Sequence, residues 1–316
     1  MSEQIQKVKV NALSHVGVWS NDIVAQAQFY HHVMSLDLRV PMHESVELEH
    51  AEAFFALGDE HHCLALFHDV RPTTSNGRKP AQRSQLHHLS LEVSTDAELA
   101  ALAARLKIAG IEPRMEPRDG DPETGDTLWF NDPDGNRVEV GVTLDERMTY
   151  SSTTKRRRAL LRPYAIQHVA LHTSHLEEMT DFYTEQLGFD VSDWLLRECV
   201  WLRCNNNHHT LMLMQGKQGI DHIGYTVADG SELLRWSDHL SRQQTPILWG
   251  PGRHGAGQDL FVRFADPEGI HIELSTGLQQ YYDSDVTTPP RLWHTRTAAH
   301  NLWGTLPTWM REEARV

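Results

Sequence analysis

Two sets of residues in this chain of 316 residues have the types and spacing of a metal site. In the second half His168 stands in QHVALHTS, His222 in DHIGYTV and Glu273 in DPEGIHIELST. In the first half His15, His88 and Glu139 stand in SHVGVWS, HHLSLEV and DPDGNRVEV. Two imidazoles and one carboxylate on rigid strands hold a divalent metal from one side and leave its other positions open, the facial arrangement used by non-heme Fe(II) oxygenases.

Strand alternation puts every second side chain on one face. His168, Ala170 and His172 then share a face, as do His222, Gly224 and Thr226, and the small or polar neighbours suggest a cavity wall. Glu273 follows the turn Asp266-Pro267-Glu268-Gly269, with Ile270, Ile272 and Leu274 pointing the other way. A carboxylate facing inward from a core strand needs a partner, because an unpaired buried charge costs roughly several kcal/mol. His271 shares the strand face of Glu273, and spacing alone leaves it as an alternative ligand.

The elements that must position these residues are written twice. His15 to Phe29 and His168 to Phe182 each span 14 residues, and each Phe is followed by Tyr. His88 to Glu139 and His222 to Glu273 each span 51 residues. Between these anchors the offset falls from 153 to 134, so the first half carries 19 extra residues, part of them around the polar segment 71–83, as expected of a loop insertion. Helices are expected over about 22–34, 96–109 (closed by Gly110) and 231–242, with another that starts at Ser174 as a capping box with Glu177 and ends at Gly188. The simplest architecture is α+β: four βαβββ units in two pairs.

Composition narrows the partners. A net charge of -14 argues against nucleic acid and anionic membranes. The basic run 155–158 between the halves reads as a solvated linker. Cys63, Cys199 and Cys204 form neither a CxxC pair nor a disulfide framework, which fits a reducing cytoplasm. There is no signal-like start and no apolar stretch of the ~18 residues a membrane helix needs. The reading is a soluble cytoplasmic protein.

At these residues the chain resembles the two-domain, type I extradiol ring-cleavage dioxygenases of the vicinal oxygen chelate superfamily, of the catechol 2,3-dioxygenase and 2,3-dihydroxybiphenyl dioxygenase kind. The resemblance covers about residues 8–285. It implies two tandem vicinal-oxygen-chelate domains: a structural, metal-free one over 1–150 and a catalytic one over 151–285, followed by a tail over 286–316. It implies Fe(II), or less often Mn(II), on His168, His222 and Glu273, and an oligomer acting in aromatic catabolism on a catechol-type diol and O2.

The resemblance assigns three further roles. His209, 13 residues before His222, matches the acid/base histidine that handles the substrate proton and protonates reduced oxygen. His254, in GPGRHG, matches a histidine that hydrogen-bonds the bound catechol. Arg263, ten residues before Glu273, stands where such enzymes have a tyrosine. Arginine is a permanent cation and no acid near pH 7. Pointing into the site, it would stabilise a catecholate or pair with a substrate carboxylate; on a shifted strand it would be a surface residue.

Other features of the chain leave alternatives open. His62 aligns with His209, while Trp129 takes the place of Arg263 and no counterpart of His254 exists, which favours a degenerate first-half site. In relatives that cleave hydroquinones, the first unit supplies one histidine, which here would set His15 beside His222 and Glu273. A non-catalytic aromatic-binding protein is the other alternative. Gly250, Gly252, Gly255 and Gly257 form either a closing loop or a hairpin connection, and Trp194 and Trp201 are pocket walls or core. Trp293, Trp303 and Trp309 in the tail are expected to dock on the domains or a subunit interface, a loose tail being the alternative.

Overall fold

The computed structural model describes residues 8–39, 52–58, 60–70, 85–118, 125–143, 161–282 and 288–312. The insertion at 71–83, the basic run 155–158 and the junction near 150 lie outside the described residues.

The chain order is four repeats of one unit. The first is β1 (Ala12–Ser20), α1 (Ile23–Gln28), β2 (Asp37–Leu38), β3 (Glu52–Ala56) and β4 (Leu64–His68). The second is β5 (Leu86–Val93), α2 (Asp96–Ile108), β6 (Arg114–Pro117), β7 (Asp126–Asn131) and β8 (Arg137–Val142). The third is β9 (Ala165–Thr173), α3 (Leu176–Asp181), β10 (Asp190–Leu195), β11 (Cys199–Arg203) and β12 (Leu211–Gln215). The fourth is β13 (Gly219–Thr226), α4 (Gly230–Arg242), β14 (Trp249–Arg253), β15 (Leu260–Ala265) and β16 (His271–Thr276). Then come β17 (Arg291–Trp293), α5 (Arg296–His300) and α6 (Thr308–Glu312). The fold is therefore the α+β architecture expected from the repeat.

Units one and two form an eight-stranded sheet in the order β2-β3-β4-β1-β5-β8-β7-β6. Units three and four form a nine-stranded sheet in the order β14-β15-β16-β13-β9-β12-β11-β10-β17. In the second sheet Val169, Leu171, Ile223, Tyr225, Ile272 and Leu274 point into the large core shared by both halves. The alternate residues of the same strands face the other way. There Met212, Met214 and Trp201 from one end of the sheet pack in one cluster with Trp249 and Phe261 from the other, so the sheet must curl around that face. Strands buried on both sides explain why burial along them is nearly continuous although side-chain direction alternates.

Helix ends follow local chemistry with two corrections. Thr95 and Glu98 make a reciprocal capping box at α2, and Asp229 accepts from Glu232 N at α4. The expected capping box at Ser174 and Glu177 is not formed: the N-cap is His175, without a side-chain cap, and its backbone N–H is taken by Thr173 Oγ1 at 2.9 Å. The helix expected over 22–34 is α-helical only to Gln28 and continues as a π-helical turn over Phe29–Val33; Phe182–Gln186 repeats this after α3.

These π turns carry the tyrosines that join the halves. Tyr30 donates to Asp266 Oδ2 at 3.0 Å, and Tyr183 donates to Asp132 Oδ2 at 3.1 Å. Each bond links the helix of one half to the Asp-Pro turn of the other. Beside the first, Glu268 accepts from Ser20 Oγ and from the backbone N–H groups of Asn21 and Asp22 at 2.7–2.8 Å.

All three cysteines are free and buried, and among the described residues no helix is long and apolar enough to cross a membrane. The described tail is not loose. β17 extends the second sheet beside β10, and Asp193 binds both Arg291 and Trp293 Nε1. Trp309 packs on His271, and Trp303, though exposed, has the Arg253 guanidinium 5.5 Å from its ring centroid.

Candidate metal centre

His168, His222 and Glu273 come from adjacent strands, β9, β13 and β16, and all three are buried. The Nε2 atoms of His168 and His222 stand 2.9 Å apart. Glu273 Oε1 lies 3.7 Å from the first, and Glu273 Oε2 lies 3.9 Å from the second. A first-row ion bonds imidazole nitrogen at roughly 2.0–2.1 Å, so neighbouring donors around it stand about 3 Å apart or somewhat more. The trio matches that size.

The residues just before each histidine orient it. Gln167 Oε1 accepts from His168 Nδ1 at 3.0 Å and also from Ser275 Oγ at 2.7 Å. Asp221 Oδ1 accepts from His222 Nδ1 at 2.5 Å. With Nδ1 carrying the proton in each neutral ring, the two Nε2 lone pairs face each other, an arrangement that a bound cation relieves. Burial, reinforced by His222, pushes His168 down to about 3, and burial with Arg263 lowers His222 as well. Both rings are therefore in the ligating form at neutral pH.

Glycine makes room for this packing. Gly224 pairs with His168 across β13 and β9, and a Cβ there would lie 2.2 Å from His168 Cε1. The small residues beside the histidines thus serve ring packing as well as the cavity wall.

Arg263 points inward and is buried, which excludes the surface alternative. Its Nη2 and Nε donate to Glu273 Oε2 at 2.6 and 3.1 Å, and Nη1 donates to Asp221 Oδ1 at 3.0 Å. Burial would raise the Glu273 carboxyl, but Arg263, His254 and His222 hold it well below the usual range. His254 Nε2 is 3.4 Å from Glu273 Oε2, its Nδ1 donates to His300 O, and its ring stacks on Phe261 at 3.9 Å. Although burial opposes it, Asp259 and Glu273 raise the His254 pKa. His209 lies against His168 with ring centroids 4.4 Å apart, and burial lowers it well below an ordinary imidazole.

All six side chains line one narrow cavity with Trp201, Met212, Ala256, Ala299, His300 and Met310. Trp201 is thus a cavity wall, while Trp194 packs partly buried against the shared core. The His271 ring lies against Trp309, and the ligand atoms that gather within 4.8 Å of one another are those of His168, His222 and Glu273, without His271. His15 lies with His88 and Glu139, so the mixed arrangement with His222 and Glu273 is not formed. The glycine-rich segment is closed down under the tail: a Cβ at Gly255 would lie 1.8 Å from Ala298 O.

Sequence reading missed Asp221, Gln167 and the tail residues Ala299, His300 and Met310. A polar residue immediately before each second-half histidine was the one available signal. The tail has no counterpart in the repeat and offered none.

A model of the Glyoxalase/Bleomycin resistance protein/Dioxygenase superfamily matches residues 12–140 and 165–274. Metapyrocatechase 2 of Cupriavidus necator is 28% identical over 214 residues, 62% of this chain and 66% of that protein. The manganese-dependent 2,3-dihydroxybiphenyl 1,2-dioxygenase of Geobacillus genomosp. 3 is 21% identical, covering 88% of each chain. Among solved structures, the Mn(II)-bound glyoxalase of Novosphingobium aromaticivorans aligns at TM-score 0.73 and 27% identity, over 94% of this chain and 91% of that one. The E323L mutant of homoprotocatechuate 2,3-dioxygenase from Brevibacterium fuscum aligns at 0.78 and 19%, over 99% and 84%. With both matched segments falling on the paired βαβββ units, the chain belongs to the Glyoxalase/Bleomycin resistance protein/Dioxygenase superfamily.

Proposed function

We propose that this chain is an extradiol dioxygenase that opens a catechol-type aromatic with O2, using a divalent metal held by His168, His222 and Glu273. Fe(II) is the preferred ion and Mn(II) the alternative, since the donor set suits both and the relatives include an iron-dependent and a manganese-dependent enzyme. Residues 151–285 form the catalytic domain, 1–150 the structural one and 286–316 the covering tail. The observation that carries the reading is the pair of Nε2 atoms facing each other at 2.9 Å beside Glu273. When bound, the metal supplies positions where a diol and dioxygen meet and exchange electrons.

The side chains divide the remaining work. His209, neutral and beside His168, takes the proton of the incoming diol and later returns it to reduced oxygen. His254, anchored by the His300 carbonyl, presents Nε2 to a diol oxygen. Arg263 fixes Glu273 and Asp221 and offers a fixed cation to a catecholate, and to the ring carboxylate where the substrate carries one. Trp201, Met212 and Met310 exclude water around the ring.

The test is oxygen uptake after anaerobic Fe(II) reconstitution, over catechols with and without carboxylates and over hydroquinones. Uptake with catechols alone supports the reading. Uptake only with hydroquinones would move the chain to the hydroquinone-cleaving branch, and tight aromatic binding without uptake would make it a binding protein.

A further inference from the structure

We propose that the first half holds a second divalent transition-metal ion, on His15, His88 and Glu139. These three side chains are buried, with one ligand atom from each within 4.8 Å of the others. The Nε2 atoms of His15 and His88 stand 2.7 Å apart, and Glu139 Oε2 lies 3.4 Å from His15 Nε2. The corresponding second-half separations are 2.9 and 3.7 Å.

Part of the surroundings repeats with the trio, although Ser14 and His87 stand in place of Gln167 and Asp221 and the glycine lies on the other strand of the pair. Gly17 pairs with His88 across β1 and β5, and a Cβ there would lie 2.3 Å from His88 Nδ1, so this strand also keeps glycine where a ring needs room. His87 Nδ1 stands 2.6 Å from His88 Nδ1, which directs the Nε2 of His88 toward His15. The His62 ring lies 4.0 Å from that of His15, as His209 lies against His168. A repeat kept only for packing gains nothing from holding two imidazoles and a carboxylate on an inward strand face; apolar side chains of similar volume would serve it better.

The differences indicate a structural ion. Trp129 stands in register with Glu139 where Arg263 stands with Glu273, and its ring lies 5.2 Å from that of His88. Trp129 Nε1 donates to Thr127 Oγ1, away from the trio. Arg118 crosses Gly141 on the Glu139 side and donates to Val142 O, so a cation is also present at this edge. Phe67 stacks on His87 at 3.9 Å and lies edge-on 5.8 Å from His88, so an aromatic ring flanks that nitrogen donor. Nitrogen-rich donors favour a first-row transition ion over calcium or magnesium. Such an ion would pin β1, β5 and β8, the neighbouring central strands of the first sheet.

The test is cobalt stoichiometry. Metal-stripped full-length chain is equilibrated with Co(II), freed of excess by gel filtration, and its bound cobalt counted by elemental analysis. Wild type should carry two ions, His88→Gln one, His222→Gln one, and the double variant none, with circular dichroism confirming the fold. Glu139→Gln, which keeps the volume, should weaken the first-half ion at least tenfold and serves if His88→Gln does not fold. One ion in wild type overturns the proposal. Two ions that survive in folded His88→Gln or in the double variant place the cobalt on other histidines and overturn it equally.

Discussion

Arg263 Nη2 binds Glu273 Oε2 at 2.6 Å, and this bond sets which carboxylate oxygen is left to face His168. The same guanidinium reaches Asp221, the carboxylate that orients His222. One cation thus steadies two of the three supports of the centre, a task that a tyrosine hydroxyl could not perform with a single proton.

Replacing it should therefore change selectivity. Arg263→Tyr is expected to lower kcat/KM for a carboxylated catechol about tenfold relative to a neutral one, the scale of one lost charge-assisted contact. Steady-state kinetics on the two substrates checks this, and an unchanged ratio would remove Arg263 from substrate recognition.

Asp221→Asn should weaken metal binding by about 10–100-fold, because the amide no longer fixes the His222 tautomer. Competition with a chromophoric chelator measures it. Wild-type affinity in this variant would show that His222 is oriented by something else.

His209→Ala should bind substrate with little change and lose roughly 10²–10⁴ in turnover, the usual worth of a positioned acid/base. Since burial lowers the His209 pKa, its basic form persists below the ordinary imidazole value. The acid limb that His209 contributes to kcat/KM should consequently fall well under pH 6.5, and an acid limb near that value would point to another group.

Gly224→Ala places a methyl 2.2 Å from His168 Cε1. The ring must move off the centre, at a cost of about 1–3 kcal/mol in strain. Thermal unfolding and metal content should both fall, and a variant with normal metal content would show that the strand can yield there.

The carboxyls that join the halves give a pH signature. Burial pushes Asp132 and Asp266 up from 3.8 to about 6, against the hydrogen bonds they accept. A raised folded-state pKa means the native protein binds more protons than the unfolded chain between those values, so each group's stabilisation is full below 3.8 and is lost as pH rises through about 6. Each carboxyl should contribute on the order of 1–3 kcal/mol to this loss. Denaturant melts of Asp132→Asn and Asp266→Asn between pH 4 and 7 should show a flatter slope than wild type, and equal slopes would count against it.

The repeat, the four βαβββ units and both histidine–glutamate trios were legible in the chain because each depends on local order: alternation along a strand, the Asp-Pro turn before each glutamate, and a spacing kept in both halves. His209 and His254 were implied only by the resemblance, and Trp201 stayed open between pocket wall and core until the cavity placed it. The missing capping box at Ser174 shows the limit, since Thr173 Oγ1 accepts from the His175 backbone N–H and the helix starts after His175. What only the tertiary structure decided were relations between strands far apart in sequence. Arg263 faces inward because β15 pairs with β16 in a register that sets it opposite Glu273. Glu273 and not His271 joins the two histidines, and Ala299 and His300 close the cavity because β17 adds to the far edge of the sheet. A side chain's direction along its own strand is fixed by a period of two residues, but its neighbours across the sheet are fixed by pairing and packing that no local pattern encodes.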